Sequence, residues 1–196
     1  RIKSLLILCK PKFQLYMKIF NCFMFFDEEM LLDLRLNIMN KYVDKFVITE
    51  ATYMHSGRPK KLLFDINKFS KFKDKIIYNV VDKEPPDIET IYEEDKNEKD
   101  TRGQKLINNS NKREHFQREM AQESLKVLAE ANPEDIILIN DIDEIPNLDE
   151  INFNTINKKL IFFKQKMFFY KFNLLHEEII WTGSRACRKK NLISPQ

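Results

Sequence analysis

Glycine is nearly absent from this chain: there are 3 in 196 residues, against 16 phenylalanines. No G-x-x-x-x-G-K and no G-x-G-x-x-G occurs. That excludes the glycine-rich loops in which bare backbone amides cradle phosphate. A phosphate bound here is held mostly by side chains and a metal. Cysteine is equally scarce. Cys9, Cys22 and Cys187 are odd in number and scattered, which is neither a disulfide framework nor a zinc site. Histidine also numbers 3, too few for the several histidines that a metal-dependent phosphohydrolase normally uses. Long apolar runs are missing. Residues 4–9 (SLLILC) are far too short to span a bilayer. They read as the remnant of a signal or anchor, or as a plain extension, and no intact targeting segment is present. A net charge of +3 is too small to imply a nucleic-acid partner. The chain opens on Arg1 rather than Met, which predicts a fragment.

Hydrophobic residues make up 43% and charged residues 32% of the sequence. This is the balance of a folded domain with a sizeable core, not of a disordered segment. The most informative stretch is 135–146, DIILINDIDEIP. Ile136, Ile137, Leu138 and Ile139 read as a short strand buried on both faces. The run stops in Asn140, Asp141, Asp143 and Glu144, and Pro146 ends any helical continuation. Three carboxylates within four positions repel one another unless a cation or water relieves them. In an open α/β sheet the carboxyl end of a strand is also where ligands bind. We therefore read Asp141 and Asp143 as a metal-binding Asp-x-Asp for a nucleotide-sugar diphosphate. The competing reading is a solvated acidic turn.

Residues 1–17 are basic and apolar without periodicity and form an unassigned extension; the domain proper is expected over 18–196. Residues 18–26 read as a strand. Asp27 is the expected N-cap of a following helix with Leu31, Leu34 and Ile38 on one face. A second strand over 45–49 ends at Glu50. Such a strand–helix–strand unit implies parallel strands and a right-handed crossover. The loop 51–61 (ATYMHSGRPKK) leaves the same sheet edge as the Asp-x-Asp, which makes Glu50, Thr52, Arg58 and Lys60 candidates for a nucleotide pocket; an ordinary solvated loop is the alternative. A short helix over 65–75 and a strand over 76–81 follow. The acidic, proline-containing stretch from 82, extending to 110, is expected as a solvated loop insertion. A helix is predicted over 111–131, with a capping box at Asn111 and Glu114 and a buried stripe of Phe116, Met120, Val127, Leu128 and Ala131. Lys112, Arg113 and Arg118 lie in its first half, where cations gain nothing from the helix dipole. An anionic partner or plain exposure accounts for them. Residues 160–172 read as an aromatic strand or hairpin, and 181–188 (WTGSRACR) as a turn with two cations. His176 is a weak candidate metal ligand, against a structural role beside an apolar run.

Residues 19–26, 44–52 (DKFVITEAT), 55–60 (HSGRPK), 73–81, 113–118 (REHFQR) and 135–146 together resemble glycosyltransferase family 17. These are the β-1,4-mannosyl-glycoprotein β-1,4-N-acetylglucosaminyltransferases, which add bisecting GlcNAc to N-glycans. The segments fall in the family's order. The resemblance implies an α/β, GT-A-like nucleotide-binding fold with a mainly parallel central sheet flanked by helices. It implies a UDP-GlcNAc donor, a glycan or glycoprotein acceptor, a divalent cation, usually manganese, and an inverting transfer. Carried over, Asp141 and Asp143 match the Asp-x-Asp, with Asp143 the expected direct ligand. Glu50 and Thr52 stand where such folds hold the nucleotide, and Arg113 and Arg118 match the family's basic helix. The acceptor-activating base is unplaced, Glu144 being a weak candidate beside loop orientation. The family continues past Gln196, so the acceptor site is expected to be incomplete at its C-terminal side. The resemblance implies a Golgi setting, and a viral or microbial source a cytoplasmic one. A transferase of the same fold with another donor or acceptor, and a non-catalytic nucleotide- or carbohydrate-binding fragment, remain open alternatives.

Overall fold

The computed structural model describes residues 16–96, 99–128, 130–169 and 173–195. Most of the expected extension at 1–17 lies outside the described residues. The chain alternates strands and helices: β1 (Ile19–Met24), α1 (Glu29–Met39), β2 (Lys45–Ala51), a 3-10 segment (Ile66–Lys75), β3 (Ile76–Val81), α2 (Lys99–Val127) and β4 (Ile136–Ile139). Four short strands follow, β5 (Ile161–Phe162), β6 (Gln165–Phe168), β7 (Leu175–Trp181) and β8 (Arg185–Arg188). The main sheet has the order β3-β2-β1-β4-β8-β5. Its first four strands are parallel, and β8 runs antiparallel to both β4 and β5. A mixed α/β fold with a mainly parallel sheet is thus borne out. Among the described residues no helix is long and apolar enough to cross a membrane.

The apolar runs explain the layering. A strand covered on both faces carries apolar residues on both sides of its period-2 repeat. Phe23, Phe46, Ile48, Ile136 and Leu138 pack with Leu32, Leu36 and Met39 of α1. The alternate residues Phe20, Cys22, Val47, Ile137 and Ile139 pack with Ala121 and Leu125 of α2. Each helix therefore seals one face. β1 feeds the β2 side of the sheet, whereas β4 lies on the other side of β1. The two carboxyl ends thus form a topological switch point, where a crevice opens.

The helices differ from expectation in informative ways. In α1 the buried residues are Leu32, Arg35, Leu36 and Met39, while Leu34 and Ile38 are each 43% exposed. The inward stripe contains a cation, so a purely apolar period selects the wrong face. Asp27 is not the N-cap. That position is Glu28, and its carboxylate instead accepts the amides of Phe26 and Asp27. The helix α2 starts at Lys99, so Asn111 and Glu114 lie inside it and form no capping box. Its buried face in this half is polar, with Asn109, Arg113 and Gln117 inward. Val127 and Leu128 are exposed, while Phe116 and Met120 pack against Ala51, Tyr53 and Val81.

The acidic stretch before α2 is fastened to it. The Asn109 amide donates to the Glu89 carbonyl and accepts its N–H, both at 2.8 Å, and Lys105 pairs with Asp95 at 2.7 Å. Residues 181–188 are not a turn. They include the end of β7 and all of β8, which is only four residues long and has a cation at each end. The aromatic stretch from 160 supplies β5 and β6, and residues 170–172 lie outside the described residues.

The two faces of α1 give a direct test. Leu36→Ala should lower the unfolding free energy by about 2–5 kcal/mol, and Leu34→Ala by less than about 1 kcal/mol. Chemical denaturation of both variants checks it, and the reverse order would mean that α1 is turned the other way.

Candidate functional site

Beyond β4 the chain turns sharply, and alternate residues point in opposite directions. Ile142 and Glu144 are buried, Asp143 is exposed and Asp141 is half-exposed. The Glu144 N–H donates to the Asp141 carbonyl at 3.0 Å and closes the turn. Beneath it lies the fully buried Arg35 guanidinium. Its Nη1 donates to the carbonyls of Asp141, Ile142 and Glu144 at 3.0, 3.0 and 2.9 Å. Its Nε and Nη2 donate to Asn21 Oδ1 at 3.1 and 3.0 Å, and Nη2 also reaches Asn140 Oδ1. Asn21 Nδ2 bonds the same Asn140 oxygen at 2.8 Å, and Asn140 Nδ2 donates to the Glu144 carbonyl at 3.0 Å. Burial pushes the Arg35 pKa down to about 9, and the charges of Glu144, Asp143 and Asp141 oppose that shift. The arginine remains cationic at neutral pH and gives the acidic turn a fixed counter-charge.

A carboxylate locks the turn from its other side. Glu144 Oε1 accepts the Trp181 indole N–H, while Oε2 accepts the Asp141 N–H at 3.2 Å and the Ser184 hydroxyl at 3.3 Å. The backbone at 183 passes so close that a Cβ there would collide with the Glu144 carboxylate, which its three hydrogen bonds hold in place.

Asp141 and Asp143 line a cleft of about 550 Å³ at the switch point, with the exit of β1, the Tyr53 loop, Lys60 and Gln117 as its other walls. Both also line a second hollow of about 250 Å³, shared with β6 and Trp181. The acidic turn is therefore a partition between two spaces.

The remaining sequence-predicted residues sit around this partition in different roles. Arg118 reaches it: its Nη2 donates to Asp141 Oδ1 at 2.8 Å and to Glu114 Oε1 at 3.1 Å. Lys60 lines the cleft and pairs with the buried Glu50. Glu50 also accepts the N–H groups of Leu63 and Phe64 and the Tyr78 hydroxyl at 2.7, 3.1 and 2.7 Å. Burial and this carboxylate hold the Tyr78 pKa well above its ordinary value, so the phenol stays a donor. Glu50 thus anchors the cleft wall from behind. Arg113 grips Glu84 through Nε and Nη2 at 3.0 and 3.2 Å and donates to the His55 carbonyl at 3.2 Å. It underlies Gly57, whose φ is +85°, and so holds the loop that carries Tyr53 and His55. Thr52 contacts the Val81 carbonyl at 3.5 Å, and Arg58 is an exposed neighbour of Ser56. Glu50, Thr52, Arg58, Arg113 and Arg118 do not line the cleft. His176 sits on β7 against the Phe169 ring, 5.3 Å between centroids, and lines neither space. Among the described residues no group of three or more His, Cys, Asp or Glu is arranged around a common point to hold a metal.

Sequence reasoning missed Arg35, Asn21 and Gln117. Gln117 Nε2 donates to the Thr49 carbonyl at 3.0 Å and ties α2 to the end of β2. The available signal for Arg35 was a cation at an inward helical position between Leu32 and Leu36. Replacing it by leucine strands two buried carbonyls, a partly buried one and two asparagine side chains. Arg35→Leu should cost about 3–5 kcal/mol of unfolding free energy, measured by denaturant titration. A loss below about 1 kcal/mol would show that the turn holds itself.

The sequence profile of glycosyltransferase family 17 matches residues 9–192. No curated protein and no solved structure matches the chain. With nearly its whole length covered, and with paired aspartates at the switch-point cleft of a mainly parallel sheet, the chain belongs to glycosyltransferase family 17.

Proposed function

We propose that this glycosyltransferase moves N-acetylglucosamine from UDP-GlcNAc to a mannose-containing glycan, with inversion, on a GT-A-like fold. The observation that carries this reading is the pair Asp141 and Asp143. They project from a turn rigidified by Arg35, at the wall of a cleft large enough for a nucleotide sugar. A diphosphate entering that cleft meets Lys60, the partner of Glu50, on one wall, and Arg118 stands outside the cleft, one residue back, as the partner of Asp141. Charge-assisted hydrogen bonds from such cations oppose the charge that develops on the leaving diphosphate.

The donor set fits a hard divalent cation. Asp141 and Asp143 offer carboxylate oxygens and no nitrogen or sulfur ligand, which suits manganese or magnesium completed by phosphate and water oxygens. Two protein carboxylates are too few for an all-protein cage, so metal and diphosphate are expected to bind together. Bound there, the cation would supply Lewis-acid stabilisation of the leaving diphosphate. Among the described residues Asp143 pairs with no cation, whereas Asp141 is shared with Arg118. With three protein donors on its carboxylate, Glu144 is assigned to positioning the turn. The linkage and the acceptor follow the family's bisecting chemistry as proposals.

Calorimetric titration of UDP-GlcNAc should show binding with manganese and none with EDTA. Incubation with a mannose-containing N-glycan should add one N-acetylhexosamine by mass. Hydrolysis of the donor alone would not count as support. Asp143→Ala should lower manganese-dependent UDP affinity at least about tenfold, or about 1.4 kcal/mol, without moving the unfolding midpoint; unchanged affinity would sink the metal assignment. Arg118→Ala should weaken UDP more than uridine. Equal losses for the two ligands would place Arg118 away from the phosphates.

A further inference from the structure

The function proposed above places the donor in the larger cleft and leaves the second hollow unused. It lies across the acidic turn from the cleft, is less than half as large, and is lined by Asp141, Asp143, Glu144, residues 165–168 and Trp181. Three features give it a specific chemistry. Trp181 is a large aromatic side chain, 42% exposed, on β7. Its indole N–H is bonded to Glu144, and that carboxylate is itself held by Ser184 and the Asp141 amide. The ring is thus fixed to the same turn that carries the two aspartates. Gln165 is the direct cross-strand neighbour of Trp181 in the β6–β7 pairing. Its Oε1 is buried and accepts no hydrogen bond from the described residues. A buried acceptor without a donor is costly, and a ligand hydroxyl would relieve it after a small side-chain adjustment.

A fixed aromatic face, an amide oxygen without a donor and two carboxylates around a small hollow match one ligand class. A pyranose ring has an apolar C–H face for the indole and equatorial hydroxyls for the polar groups. We propose that this hollow is the acceptor subsite. A pyranose of the glycan rests on Trp181, donates a hydroxyl to Gln165, and is presented to the donor across the partition formed by Asp141 and Asp143. The proposal rests on the reading of the larger cleft as the donor site.

Trp181 is the only tryptophan in the chain, so its emission reports on the hollow without a label. Titrating the intact chain with a mannose-terminated N-glycan oligosaccharide should change that emission saturably. Gln165→Leu should raise the KM for the glycan about tenfold and leave the KM for UDP-GlcNAc within about twofold. Trp181→Phe, which keeps a ring but loses the N–H, should raise the glycan KM less than Trp181→Ala does. Suppose that UDP binds with manganese and sugar is transferred, but the glycan leaves the emission and the Gln165→Leu KM unchanged. The acceptor then sits elsewhere, and this inference is overturned while the donor reading stands. Equal losses for donor and glycan in both the Gln165 and Trp181 variants would also overturn it. Absence of both UDP binding and transfer would overturn the donor reading, and the acceptor subsite with it.

Discussion

One buried guanidinium organises the functional edge of this protein. Arg35 is removed from water in the middle of a helix, where an unpaired cation would be severely destabilising. It is tolerated because all its donor nitrogens are used, by two asparagine side chains and three turn carbonyls, and because three carboxylates stand above it. A lysine could not substitute. Its ammonium is a compact charge with three donors on a flexible stem, whereas the planar fork reaches the turn and both asparagines at once. The reverse dependence is as strong. Without this counter-charge, Asp141, Asp143 and Glu144 would crowd three negative charges onto four residues with no fixed positive partner below.

From that contact the neighbouring pieces are fixed in sequence. The turn holds Glu144, Glu144 holds Trp181 and Ser184, and these fasten the antiparallel end of the sheet. On the opposite flank Gln117 ties α2 to β2, Arg113 supports the Tyr53 loop through Glu84 and His55, and Glu50 anchors the segment at 60–64. The carboxyl edge of the sheet is therefore built from buried, satisfied polar groups, while the interior between the helices is apolar. Such an edge is rigid where the aspartates project, which suits chemistry that depends on preorganised charge.

This division explains what could be read from the residues alone. The four parallel strands were legible, because strands covered on both faces are short continuous apolar runs such as IILI. The acidic turn was legible for the same reason: acids that abruptly follow a buried strand mark its carboxyl end. What escaped was the polar interior. Apolar periodicity placed Leu34 and Ile38 inward and left Arg35 out, and it began α2 twelve residues late because Asn109, Arg113 and Gln117 are its buried face. Arg113 and Glu50 were recognisable as belonging near the site, but their partners, Glu84 and Tyr78, come from separate segments that only the fold brings together. β8 was too short, and too heavily flanked by arginine, to show an alternation.

The scarcity of glycine sharpens the picture. Among three glycines, Gly103 has open space around its Cα, whereas Gly57 and Gly183 each have a charged side chain pressed against the backbone. At Gly57 the intruder is the Arg113 guanidinium, 2.7 Å from where a Cβ would lie, and the backbone is left-handed. At Gly183 it is the Glu144 carboxylate. Both make room for charged side chains that position the loops on either side of the acidic turn. A chain that forgoes glycine-rich phosphate loops has thus kept glycine where its side-chain-built site needs the backbone out of the way. Gly57 follows Met54 and His55, which line the cleft, and Gly183 abuts Glu144, which lines the smaller hollow.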